Sequence, residues 1–195
     1  MDSDAVFMKS LEKEIKALGW KKLAGSFFTE LDHETLAHFN PFPKETGILR
    51  VQMHTSSKLL NRISWRIYGL PDDFGSLKEH LINACKCNIT SLYVAREDPM
   101  HAVDIPSHAE LIAQECRKQG ENFNSIGKIV LESEEKSRTE PHIDRSIELI
   151  CGYVAQSNFA KAMRLIKEKK SADYPGYGIS FFAHAERFLS SQSQE

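Results

Sequence analysis

Residues 48–68 read ILRVQMHTSSKLLNRISWRIY, and the class of the fold turns on this stretch. Leu49, Val51 and Met53 alternate with Arg50, Gln52 and His54, the period of two that sends successive side chains to opposite faces of a half-buried strand. Ile63, Trp65 and Ile67 alternate in the same way with Arg62, Ser64, Arg66 and Tyr68. The polar TSSK at 55–58 separates the two runs, so the spacing predicts an antiparallel hairpin. A hairpin here means that the chain contains a sheet.

Toward the N-terminus the period changes. Met8, Leu11, Ile15 and Leu18 recur at helical spacing, which predicts an amphipathic helix from Ser3 or Asp4 to Gly19. Leu23, Phe27 and Leu31 extend a second helical stripe, and Asn40-Pro-Phe-Pro43 closes the region as a rigid loop. Toward the C-terminus, Ser76-Leu-Lys-Glu79 has the form of a capping box, in which the serine hydroxyl and the glutamate each satisfy an unpaired amide at a helix start. NITSLYVA at 88–95 predicts a strand, and Ser107-His-Ala-Glu110, just after Pro106, predicts a second capped helix that Gly120 can end. IGKIVLE at 126–132 predicts a fourth strand. From Pro141 the spacing is helical again: Ile143, Ile147, Ile150 and Val154, then Phe159, Met163 and Ile166 after a break near Ser157. Phe181, Ala185, Phe188 and Leu189 mark a last helix.

The expectation is an α+β protein with a helical N-terminal region, a small mixed four-stranded sheet starting with an antiparallel hairpin, and C-terminal helices. The length of 195 residues suits a single domain, 1–195, with a helical part at 1–40, a sheet-containing part at 48–132 and helices at 141–190. Hydrophobic residues at 41% and charged residues at 27% are those of an ordinary folded chain, and a net charge of -2 offers no global attraction for nucleic acid or anionic lipid. No run approaches the apolar length of a membrane span, and the opening MDSDAVFMKSLEKEIK lacks the basic start and apolar run of a signal peptide. Cys85, Cys87, Cys116 and Cys151 are then expected as reduced thiols in a cytoplasmic protein.

Several segments come close to a catalytic signature. HETLAH at 33–38 resembles the His-Glu-x-x-His of helical zinc proteases, but a spacing of four leaves two histidines about 40° apart on a helix, whereas a spacing of five separates His33 and His38 by about 140°. His-x-Glu at 108–110 and 184–186 lacks the Pro-Cys-x-x-Cys that completes a deaminase zinc site. Cys85 and Cys87, with His80 upstream and His101 or His108 downstream, have the right ligand types but no second ligand pair. The expectation is therefore no metal and no cofactor. Cys85, Cys87 and Cys116 fall near predicted helix C-termini and Cys151 in mid-helix, where nothing local favours a thiolate. Neither Gly-x-Ser-x-Gly nor a phosphate-binding glycine-rich loop is present.

What remains is a surface. The sequence points to a non-enzymatic, intracellular protein-binding module, an adaptor, chaperone-like subunit or small effector, whose partner is another protein met by Met8, Leu11, Ile15 and Leu18 and by aromatic clusters. One alternative is a hydrolase-type enzyme with a tertiary Cys/His or His/carboxylate site, drawn from His54, His101, His108 and Cys116. Another is a nucleic-acid-binding domain that uses Arg62 and Arg66 with the basic run Lys161, Arg164, Lys167 and Lys170.

Overall fold

A computed structural model describes residues 3–45, 48–71, 74–82, 86–95, 104–123, 125–139, 143–170 and 178–192. The chain is α+β, and it divides into two compact units. The first comprises Met1–Ser56 and Asn88–Asn122, the second Ser57–Cys87 and Phe123–Glu195.

In the first unit, helix α1 (Ser3–Ala17) precedes strands β1 (Lys21–Leu23), β2 (Ser26–Glu30), β3 (Thr35–Glu45) and β4 (Ile48–Ser57). Strand β5 (Lys86–Ala95) completes a five-stranded sheet in the order β1-β2-β3-β4-β5, and helix α4 (Ile105–Asn122) follows. β2 pairs antiparallel with β1 and β3 in a register that sets Phe27 opposite Phe39 and Phe28 opposite His38. α1 and α4 pack together, and α4 also packs on β3. Phe7, Leu11 and Ile15 of α1, Ile105, Ala109, Ile112 and Cys116 of α4, and Phe27, Phe39, Leu49, Val51 and Met53 of the sheet form one core. The alternation at 48–54 is thus a strand with Leu49, Val51 and Met53 inward, as its period requires.

The N-terminal third differs from its helical expectation after Gly19. α1 starts and stops where its pattern indicates, with Gly19 left-handed at φ 85° and the Trp20 amide closing back on the Ile15 carbonyl. Residues 21–23, 26–30 and 35–45 are strands. HETLAH lies in the turn before β3 and in β3 itself, where Thr35 to Phe39 are all buried, so this strand is covered on both faces and shows no alternation to read. Pro41 and Pro43, expected to close a loop, lie inside β3.

The second unit is helical: α2 (Lys58–Ile67), α3 (Leu77–Ile82), α5 (Ile126–Thr139), α6 (Ile143–Ala155), α7 (Phe159–Lys170) and α8 (Gly178–Gln192). α6 packs against α2, α5, α7 and α8. The expected second strand of the hairpin, 62–68, is α2. Its period of two arises because the helix is buried on two sides: Leu60, Ile63 and Ile67 join the core, while Asn61 and Trp65, one turn apart, meet His80 of α3. Ser57, expected in a turn, caps the helix by accepting a hydrogen bond from the Leu60 amide at 3.3 Å. The expected strand at 126–132 is α5, whose Ile129, Val130 and Ser133 bury one face of a 14-residue helix.

Other expectations agree. 88–95 is strand, within β5; the helix break falls at Ser157, left-handed at φ 55°; and 178–192 is helix. α4, however, begins at Ile105, two residues before Ser107, and runs through Gly120. That glycine serves close packing: a Cβ there would stand 2.4 Å from Leu31 Cδ1 and 3.1 Å from Ala37 Cβ. Pro141 lies outside the described residues.

Candidate functional site

Two features of the first unit gather chemically useful side chains, one buried and one open. The buried feature lies where β3 and β4 adjoin. His38 Nε2 is 2.7 Å from Ser56 Oγ, the His38 and His54 rings stack with centroids 5.0 Å apart, and the Cys116 thiol donates to the His38 carbonyl at 3.5 Å. His54 and Cys116, singled out from sequence, do converge; His38, noted there only as part of HETLAH, joins them, as does Ser56 from a position that pattern did not mark. A serine on a histidine is the start of a nucleophilic dyad. Exposure decides against that use: Ser56 and His38 are 0% exposed and Cys116 is 1%. Burial also pushes the Cys116 thiol up to about 12, so the thiolate that attacks or ligates is suppressed at neutral pH.

The remaining near-motifs are dispersed. His33 is exposed while His38 is buried, and His108 pairs at 3.2 Å with Asp104, the residue just before its own helix. His80 Nδ1 meets Asn61 Nδ2 at 2.9 Å, and the His184 ring lies against Tyr68. Among the described residues no three histidine, cysteine or acidic side chains gather as metal ligands. His101 and Cys85, and the side chain of Cys87, lie outside the described residues. Glu79 keeps the reciprocal half of its capping box: hydrogen bonds from the Ser76 hydroxyl and the backbone hold its carboxyl below the usual range.

The open feature is a groove of about 380 Å³ lined by Ala5, Met8, Lys9 and Glu12 of α1 together with Lys22, Gly25, Phe27 and Pro41. Ala5, Met8, Lys9 and Glu12 recur at helical spacing, so they form one stripe along α1 beside its buried face. Phe27 supplies the apolar floor and Pro41 a wall. Lys16 at 2.7 Å, with Lys22, holds the Glu12 carboxyl below its ordinary range, and the Lys22 ammonium lies 5.4 Å over the Phe27 ring.

Of the four residues expected to meet a partner, Leu11 and Ile15 are 0% exposed and belong to the unit's own core. Met8 is half-buried and lines the groove; Leu18 is exposed at the helix end. Helical spacing found α1 and its seam, but Lys22, Phe27 and Pro41 reach the groove only through tertiary folding. In the second unit, Arg66, Arg164 and Lys167 are exposed and Arg62 is half-buried. Lys161 is engaged by Glu134 at 3.2 Å and by the Tyr153 ring, and the Lys170 side chain lies outside the described residues. Within the basic run it is thus Lys161 whose charge is engaged.

Comparison with protein-family models, with curated proteins and with solved structures gives no match. Among the described residues no helix is long and apolar enough to cross a membrane.

Proposed function

We propose that the protein is a non-enzymatic protein-binding module that holds a segment of another protein in the groove beside α1. The observation that carries this is the contrast in exposure: the cluster of His38, His54, Ser56 and Cys116 is buried, while the groove presents half-buried Met8 and Pro41 over the buried Phe27, with the exposed Lys9 and Lys22 at its rim. A volume of about 380 Å³ is at the small end of ligand pockets, enough for one or two side chains of a docking segment. Its walls are a helix and a sheet that share the first unit's core, so the groove is preformed and little ordering cost opposes binding. Its lysines favour an acidic segment over a basic one.

The test is selection of short random peptides on the immobilised full chain. Ala5 is exposed on α1 and lines the groove, so Ala5→Trp fills the groove while leaving the core intact; Leu131→Ala, on an exposed position of α5, is the control. Enriched peptides are expected to bind wild type and Leu131→Ala alike and to lose binding to Ala5→Trp with no change in melting temperature. A pool indifferent to Ala5→Trp, or no enrichment at all, overturns the proposal.

A further inference from the structure

The lysines of the groove are not equivalent. Lys22 bonds the Glu12 carboxylate and covers Phe27, and Glu12 is bonded to Lys16 as well. Lys9, exposed on the same stripe of α1, has no carboxylate partner among the described residues. An anion entering the groove therefore finds Lys9 available, whereas at Lys22 it must compete with Glu12.

The backbone of the groove bears on the mode of docking. Because Phe27 pairs with Phe39, only Ser26 of β2 remains to face Asn40, and β3 continues beyond it to Glu45. Two of the residues in this overhang are Pro41 and Pro43, which carry no amide N–H. The run of backbone donors along the overhang is thus incomplete, which favours insertion of side chains over addition of a strand.

We infer that the groove recognises a carboxylate-bearing residue next to a bulky apolar one, from a partner protein, with the apolar side chain against Met8, Phe27 and Pro41 and the carboxylate at Lys9; this rests on the binding-module proposal. A carboxylate suits the site better than a nucleic-acid backbone. The floor is apolar and small, and the Glu12 carboxylate at the rim repels a chain of phosphates more than it repels one acid.

The experiment compares peptide pools selected against wild type, Lys9→Gln and Ala5→Trp. Acidic residues are expected beside the apolar anchor in the wild-type pool and to be lost from the Lys9→Gln pool. For the leading peptide, Lys9→Gln and a Glu→Gln change in the peptide should each weaken binding by about fivefold, and the two together by no more than either alone. A pool sensitive to Ala5→Trp but without acids, or one whose acid preference survives Lys9→Gln, overturns this inference and leaves the binding module standing. A pool insensitive to Ala5→Trp overturns both. Displacement of the peptide by a single-stranded oligonucleotide at comparable affinity overturns the choice of a protein partner.

Discussion

Glu148 shows how two electrostatic effects at one residue are ranked. It is 3% exposed on α6, accepts a hydrogen bond from Ser133 of α5 at 3.2 Å and lies 3.6 Å from Arg145. Desolvation nevertheless outweighs Arg145, Ser133 and Lys136, with Asp144 adding to the rise, and moves the carboxyl from an ordinary 4.5 up to about 8. Because the folded acid holds its proton more tightly than the unfolded one, stability is full below about pH 4.5, falls as pH rises toward 8 and levels off above it. Each unit of the rise corresponds to about 1.4 kcal/mol, so the loss amounts to a few kcal/mol. Glu148→Gln, which keeps an acceptor for Ser133, should remove that slope and raise the melting temperature at pH 8; an unchanged slope in thermal melts would contradict this. Cys116 gives a second residue-level prediction. Iodoacetamide at neutral pH should modify it orders of magnitude more slowly in the native chain than in urea, and equal rates by peptide mass mapping would show the thiol to be accessible and activated. Neither property was legible in sequence: no local pattern marks Glu148 as a buried acid or Cys116 as a suppressed thiol, and both properties come from burial.

At the scale of elements, legibility followed the number of faces that each element buries. α1 buries one stripe, and its extent is evident from Met8, Leu11 and Ile15 to Gly19. β4 buries Leu49, Val51 and Met53 on one face, and its period of two is equally plain at 48–54. α2 and β3 bury two faces; α2 then shows a false strand period and β3 shows no period at all. The short apolar run of α5 could not be told from a strand until its continuation to Thr139 was counted. Caps sort out differently. Ser57→Ala should cost about 1 kcal/mol, because its hydroxyl accepts the Leu60 amide. Ser107→Ala should stay within about 0.5 kcal/mol, because Ser107 is exposed inside the first turn of α4 and Ile105 begins the helix. Chemical denaturation that ranks these two in the opposite order would place the α4 boundary where the sequence pattern suggested. Gly120→Ala should cost on the order of 1 to 3 kcal/mol through its close approach to Leu31 and Ala37, where a helix-propensity view predicts a gain.

At the scale of the whole chain, the order of helical and strand periods indicated the α+β class, with 48–54 the clearest strand, while the division into two cores left no linker or change of composition to mark it. The candidate site was half legible: α1 was found and Met8 named, but the exposed stripe runs through Ala5, Lys9 and Glu12 rather than through Leu11 and Ile15. Those two residues serve the core because they share the face of Phe7, and the groove exists because β3 outruns β2 beside that helix. The claim that this groove is where the protein binds its partner can be read from methionine methyl groups, since Met8 lines it and Met53, 1% exposed, lies in the core beneath. The decisive measurement is a methyl-resolved NMR titration of the full chain with the leading selected peptide, the Met8 signal being assigned by its loss in Met8→Leu. The expected result is a saturable shift of Met8 with Met53 and Met163 unmoved; a shift confined to Met163 of α7, or saturation of binding with Met8 unmoved, would contradict it.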